Sequence, residues 1–340
     1  MTAAIPITLL TGYLGSGKTT LLSRLLAHPH LADTAVLVNE FGEIALDHQL
    51  LYGAAESIVL MERGCLCCAL RSDLADQLDE LFAKRMRAEI PRFKRVVIET
   101  SGLADPAPIL QTLVSAPMLA ALYRLDGVIA TVDGEHGDRE LDAHFESVKQ
   151  AALADRIVIT KTDRAPNGSI DSLEERLRSL NPAAPILRAA HGNIEPDAIL
   201  DAGIHDTQGK IVNVERWLMS RRYRPVSTDP LPASAKRHDE RVRSFAIVYD
   251  RPVSGTRLWQ GLEALIDASG ERILRVKGIV NVVDQAQPRV IHIVQHVLYP
   301  VTTLPDWPDS DRRTRLVFIV RDLDPGSVRE RLNDALGSAT

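Results

Sequence analysis

Through the first two thirds of the chain, short runs dominated by Val, Ile and Leu recur at Ile5–Leu10, Ala35–Glu40, Ser57–Met61, Arg95–Glu99, Gly127–Val132, Arg156–Thr160 and Pro185–Arg188. Apolar runs of this length predict parallel strands covered on both faces. Between them Leu70, Leu74, Leu78 and Leu81 recur at helical spacing, as do Leu173, Leu177 and Leu180. Strand and helix in alternation predict an α/β fold with a doubly wound, mostly parallel sheet.

The pattern breaks near residue 221. Residues 221–243 hold three prolines, many charges and no periodicity, which reads as a linker. Beyond it the pattern predicts strands at Ser244–Tyr249, Ile273–Val283, Val290–His296 and Leu316–Val320. Helices are expected at Gly255–Ala268 and from near Gly326. Strands outnumber helices there, so the expected organisation is a first domain over 1–220, a linker over 221–243 and a smaller α+β domain over 244–340.

Composition adds exclusions. Of 340 residues, 45% are hydrophobic and 25% charged, with a formal net charge of −5. That balance gives no reason to expect nucleic acid or an anionic membrane as the main partner. The basic tract from Lys84 to Arg87, continued by Arg92, Lys94 and Arg95, reads as the solvated end of a helix running into a strand. No signal peptide and no apolar stretch of membrane-spanning length is visible. Three clustered cysteines in such a chain predict reduced thiols and a cytoplasmic location.

The chemistry begins with Gly12-Tyr13-Leu14-Gly15-Ser16-Gly17-Lys18-Thr19, a full match to G-x-x-x-x-G-K-[ST] between a strand and an apolar helix. Its glycines let backbone N–H groups wrap phosphates at a helix N-terminus. Lys18 is expected on the β- and γ-phosphates, as a surface loop lysine without core packing. Thr19 is expected on Mg²⁺, with Thr20 completing the nucleotide-facing set. The match makes the fold a P-loop NTPase sheet. In Arg95–Glu99 the strand ends in an acid placed to hold the Mg²⁺ shell, and Gly102 follows where a glycine can lie against the γ-phosphate.

Thr160-Lys161-Thr162-Asp163 follows another strand. A carboxylate at Asp163 can accept both the N1 and N2 donors of guanine, a pair adenine lacks, and the Lys161 stem can pack on the base. Thr160 stands where common GTPases carry Asn. The segment from Asn39 to Asp47 brings Glu40, Glu43 and Asp47 to the position of a GTPase switch, as candidates for the Mg²⁺ shell, water positioning or metal contact.

All three cysteines fall in Cys65-Leu66-Cys67-Cys68, between a strand and the Leu70 helix. Thiolates at a helix N-terminus have depressed pKa values and bind soft cations such as Zn²⁺ or Cu(I). Cys65 and Cys67 can point at one ion. Cys68 is either a third ligand or a packed thiol, and Glu40, a histidine or water could complete the set. An incomplete set of protein ligands suits a transfer site. A C-x-x-C redox pair and inert buried thiols are the competing readings.

Together GYLGSGKTT, NEFGEIALD, GCLCC, VVIETSGLADP and TKTD resemble the CobW-type P-loop GTPases, and Arg275–Ile279 and His292–His296 resemble that family's second domain. TKTD and the stretch Arg188–Gly192 look closest to its YjiA-like branch. The resemblance implies a GTPase using GTP and Mg²⁺, with Lys18, Glu99 and Glu43 in catalytic roles. It implies Zn²⁺ or another transition metal held by Cys65, Cys67, Cys68 and Glu40 and delivered to client metalloproteins, with a nucleotide- or metal-dependent homodimer as a further expectation. The runner-up is a regulatory protein in which metal and nucleotide control partner contact with little turnover. A small-molecule kinase is disfavoured by TKTD.

Overall fold

A computed structural model of the chain describes residues 4–38, 59–62, 72–200, 218 and 241–337. The chain divides into two compact units, Met1–Leu177 with Ala184–Val212 and Arg178–Ala183 with Asn213–Thr340.

In the first unit the elements run β1 (Ile5–Gly12), α1 (Lys18–Leu26), β2 (Thr34–Val38), β3 (Val59–Glu62), α2 (Ser72–Met86) and β4 (Arg95–Glu99). They continue with α3 (Pro106–Ser115), α4 (Pro117–Leu122), β5 (Tyr123–Asp133), α5 (Gly137–Ala143), α6 (Phe145–Leu153), β6 (Arg156–Thr160), α7 (Ser169–Leu180), β7 (Ile186–Arg188) and α8 (Pro196–Ile199). The seven strands form one sheet in the order β3-β2-β4-β1-β5-β6-β7. Every pairing in it is parallel. β1, β2, β4 and β6 are buried along their whole length, as strands covered on both faces must be. On one face Leu21, Leu22, Leu25 and Leu26 of α1 pack with Leu10, Val36, Val97, Ile129 and Val158.

The apolar runs predict all seven strands, and the structure moves some of their ends. β5 starts four residues before the expected Gly127. Of the four helices between Gly102 and Arg156, three begin at a breaker rather than on a periodic pattern, α3 at Pro106, α4 at Pro117 and α5 at Gly137. In α3, Pro106 occupies the first turn, where its missing N–H costs nothing, and the Asp105 carboxylate accepts the Ala107 N–H at 3.0 Å. α2 ends at Met86, so the tract Lys84–Arg87 is the end of a helix, as expected.

The second unit contains β8 (Val242–Tyr249), α9 (Gly255–Ser269), β9 (Ile273–Val280), β10 (Arg289–Val294), β11 (Val297–Leu298), β12 (Thr302–Thr303), β13 (Thr314–Arg321) and α10 (Pro325–Leu336). Its sheet runs β11-β10-β9-β13-β8, with β12 paired to β10, and its pairs are antiparallel. β8 begins at Val242, inside the segment read as linker, and β9 stops at Val280 rather than Val283. Cross-strand partners Phe245 and Phe318 stack at 5.2 Å within a core that also takes Leu258, Leu262 and Leu265 from α9 and Val328 and Leu332 from α10.

A buried guanidinium in this unit meets its counter-charge directly. Arg315 of β13 forks onto Asp309, with Nη1 and Nη2 donating to the two carboxylate oxygens at 2.7 and 3.0 Å. Removing the carboxylate would leave a buried guanidinium whose remaining acidic partner among the described residues is Asp311, at 3.8 Å. Asp309→Ala should therefore cost about 3 kcal/mol of stability, read as a lower denaturant midpoint for the unfolding of this unit. An unchanged midpoint would mean that Arg315 needs no counter-charge.

Candidate nucleotide-binding site

A parallel sheet delivers the carboxyl ends of all its strands to one edge, where ligands bind in open α/β folds. Here that edge carries Gly12 from β1, Glu99 from β4, Asp133 from β5 and Thr160 from β6. Register sets their order: Leu10 pairs with Glu99, Gly12 with Thr131, and Asp133 with Thr160.

The loop leaving β1 has Gly12, Gly15 and Gly17 at φ of 148°, 71° and 87°, backbone that a side chain would strain. It leads directly into α1, whose first residue is Lys18. Such a loop before a helix N-terminus presents N–H groups and the positive end of the helix dipole to an anion. Lys18 is not the solvent-facing lysine that the sequence leads one to expect. It is buried, and its Nζ donates to the carbonyls of Gly12 and Tyr13 at 3.0 and 3.1 Å. The ammonium thus lies folded across the loop that a phosphate would enter.

Hydroxyls hold the loop to the sheet. The Thr131 hydroxyl donates to the Thr11 carbonyl at 3.3 Å, so Ser16, whose Oγ lies 2.6 Å from Thr131 Oγ1, is the donor in that pair. The Thr160 hydroxyl donates to the Ser16 carbonyl at 2.6 Å. Thr160 therefore ties the strand carrying the base motif to the phosphate loop, which explains its place at this position. Thr20, one residue beyond Thr19, is exposed on α1.

At the foot of the loop the Thr19 hydroxyl donates to Glu99 Oε1 at 2.7 Å. Glu99 is 2% exposed at the end of β4. Two residues on, Ser101 Oγ is buried with no hydrogen-bond partner among the described residues. Mg²⁺ takes hard oxygen ligands, and this set of hydroxyls and one carboxylate fits it, with Thr19 and Glu99 as the residues that would hold it. Gly102 lies directly on the phosphate loop: a Cβ there would come 2.6 Å from both Cα and N of Leu14. No side chain fits at that position.

The base side is built by Lys161 and Asp163. Lys161, at φ 51°, donates from Nζ to Asp133 Oδ2 at 2.6 Å. Asp133 also accepts the N–H groups of Glu135 and His136 at 2.8 and 3.2 Å. Burial opposes its ionisation, but the Lys161 ammonium and these amides outweigh burial and hold its pKa below the usual carboxylate range. Asp163 accepts the His191 N–H at 3.1 Å, the main reason its pKa is lowered, and its other oxygen lies 3.4 Å from His191 Nδ1. Asp163 is therefore an ionised, oriented pair of acceptors at neutral pH. Sequence reasoning did not assign Asp133, Thr131 or His191 to this site. A positive-φ pair, His191 and Gly192, is what brings an N–H onto Asp163, and its only trace in the sequence is the glycine.

Lys18, Thr19, Glu99, Gly102, Lys161 and Asp163 thus gather at one sheet edge. Glu40, Glu43, Asp47, Cys65, Cys67 and Cys68 lie outside the described residues. Among the described residues no group of three or more His, Cys, Asp or Glu side chains is arranged to hold a metal ion, and no helix is long and apolar enough to cross a membrane.

Comparison with known proteins agrees with this geometry. Residues 6–188 match the family described as CobW/HypB/UreG, nucleotide-binding domain, and residues 242–336 match the Cobalamin synthesis protein cobW C-terminal domain. The chain is 34% identical over 325 residues to the zinc chaperone YjiA of Escherichia coli, covering 96% of each chain. It is 26% identical to the zinc-regulated GTPase metalloprotein activator 1 of Saccharomyces cerevisiae, covering 98% of this chain and 83% of that protein. The crystal structure of Zn(II)-bound YjiA GTPase from E. coli superposes with a TM-score of 0.71 at 30% identity, covering 98% of this chain and 99% of that one.

The Thr160 tie gives a direct test. Thr160→Val keeps the shape and removes the donor from the Ser16 carbonyl. It should weaken nucleotide binding by about 1–3 kcal/mol, measured by titration calorimetry, while Thr160→Ser should bind normally. Equal affinity in the Val and Thr proteins would show that the hydroxyl does not support the loop.

Proposed function

Because this chain belongs to the CobW/HypB/UreG family, with the CobW C-terminal domain behind its nucleotide-binding domain, we propose that it hydrolyses GTP to GDP and phosphate and couples that cycle to the transfer of a transition metal, Zn²⁺ foremost, to client metalloproteins. The observation that carries the GTPase reading is the Thr19–Glu99 hydrogen bond at the foot of a complete phosphate loop, on the same sheet edge as the ionised acceptor pair of Asp163. In this reading Gly12, Gly15, Ser16 and Gly17 cradle the phosphates, and Lys18 swings from its carbonyl partners to the β- and γ-phosphates. Thr19 and Glu99 would hold Mg²⁺, which would supply positive charge against the phosphates. Thr20 and Gly102 flank the triphosphate, and Glu43 joins the catalytic set from the switch position. Asp163 accepts N1–H and N2–H of guanine while the Lys161 stem packs on the base.

Metal is cargo in this scheme. Cys65, Cys67, Cys68 and Glu40 would hold it, and in sequence Glu40 follows β2 and the cysteines follow β3, two strands of the sheet whose other strands carry the site. The relatives support the assignment of zinc, being named a zinc chaperone and a zinc-regulated activator. Such a protein works where thiols stay reduced, which favours the cytoplasm. A homodimer that forms with nucleotide or metal would present the cargo to its client from a closed state.

Asp163→Ala should erode the preference for GTP over ATP by on the order of tenfold to a hundredfold, the scale of hydrogen bonds to a charged acceptor, with a smaller loss of triphosphate affinity. Competition binding with both nucleotides reads this, and equal binding of ATP and GTP by the unsubstituted protein would refute the base assignment.

Metal and nucleotide should be linked. A titration of Zn²⁺ with a GTP analogue, with GDP and without nucleotide should give affinities differing by about 5–150-fold, the usual span of such coupling. Cys65→Ala and Cys67→Ala should weaken the metal and abolish that difference while basal hydrolysis persists, and Cys68→Ala distinguishes a ligand from a packed thiol. The same affinity in all three nucleotide states would rule out hydrolysis-driven release.

A further inference from the structure

The turn after Glu99 is held from α6, a helix that neither phosphate nor base motif includes. Residues 101–104 close through the Ala104 N–H to the Ser101 carbonyl at 3.1 Å. Leu103 at its tip is 54% exposed, so apolar packing does not fix it. Polar clamps do. Gln150 Nε2 donates to the carbonyls of Gly102 and Ala104 at 3.1 and 3.2 Å. Its neighbour Lys149 pairs with Asp105, the residue that caps α3. At the other end of the helix, the capping residue His144 stacks on Tyr13 of the phosphate loop, with ring centroids 4.5 Å apart and planes 16° from parallel. One helix therefore touches both the phosphate loop and the turn that lies on it.

Gln150 itself is 1% exposed, and its Oε1 accepts no hydrogen bond among the described residues. Packing alone would favour Leu here, since a buried amide oxygen without a donor is destabilising. The side chain is retained with both amide protons on one turn and its oxygen unsatisfied. The amide orientation is required by the two carbonyls it faces.

We propose that Gln150 is a positioning residue for GTP hydrolysis: it holds the Ser101–Ala104 turn so that Gly102 sits against the phosphate loop, where only the nucleotide bearing a γ-phosphate meets it. This rests on the GTPase reading above. GDP lacks the γ-phosphate, so the clamp should affect turnover and GTP-state geometry without affecting GDP binding. Lys149 anchors the far end of the same turn, which makes α6 the strut against which the turn is set.

The test uses the full chain with Mg²⁺. Gln150→Leu keeps the size and removes the donors, and Gln150→Glu keeps the shape while setting a carboxylate against two carbonyls. Both should slow single-turnover GTP hydrolysis by on the order of tenfold to a hundredfold, the effect of displacing a reacting group by about 1 Å. Gln150→Glu should be the slower, and GDP affinity should be unchanged in both. Lys149→Met, which leaves the Asp105 cap in place, should give a smaller loss of the same kind and serves if the Gln150 variants do not fold. Hydrolysis at the full rate in folded Gln150→Leu, or a parallel loss of GDP affinity and rate, would overturn the inference. No hydrolysis in the unsubstituted protein would instead remove the GTPase reading and this inference with it.

Discussion

Everything at the candidate site depends on the parallel alignment of β1 with the two strands that flank it. Because β4 and β5 both run with β1, Glu99 and Asp133 emerge at the same edge as the phosphate loop, and the register sets Thr131 opposite Gly12. A carboxylate on β4 then meets a hydroxyl on α1 at hydrogen-bond distance although the two are 80 residues apart in sequence. The burial of β1, β2, β4 and β6 along their full length supplies the hydrophobic driving force for that alignment, so the geometry of the site rests on the core beneath it.

Within that frame, hydroxyl groups link the parts that a guanine nucleotide would bridge. Thr131, Ser16 and Thr160 connect β5, the phosphate loop and β6 through short, buried hydrogen bonds. Buried hydroxyls of this kind are stable only when paired, and once paired they hold a single arrangement. The base motif and the phosphate loop are therefore tied directly to each other. The turn after Glu99 is different in kind: its tip is exposed, and side chains of α6 hold it by polar contacts. A phosphate and base platform on the strand ends beside a turn with an exposed tip is the physical division that a nucleotide-driven switch requires.

Electrostatics reinforces the same division. Asp133 is kept ionised by Lys161 and two backbone amides and serves to anchor the lysine, whereas Asp163 is kept ionised chiefly by one backbone N–H of His191 and faces outward. Glu140, on α5, has its pKa raised by burial and by the charge of Asp133. The unit thus sets its carboxylates to different tasks by surroundings alone.

The amino-acid sequence by itself determined the class of fold, all seven parallel strands, the phosphate loop, Glu99 and the TKTD segment. Each of these is written in local pattern: apolar runs for strands, a fixed glycine and lysine spacing for the loop, an acid at a strand end. It also placed the four long strands of the second sheet, with ends shifted at β8, β9, β10 and β13 because strand termini follow pairing partners rather than propensity, but not the two-residue strands β11 and β12. Tertiary structure alone decided that Lys18 lies buried across its own loop. It also decided that Thr160 reaches the Ser16 carbonyl, that a His191 amide orients Asp163, and that Gln150 clamps the turn carrying Gly102. The last three of these contacts join residues between 28 and 144 positions apart, and no local pattern carries information about a partner that only the tertiary fold brings within hydrogen-bond distance.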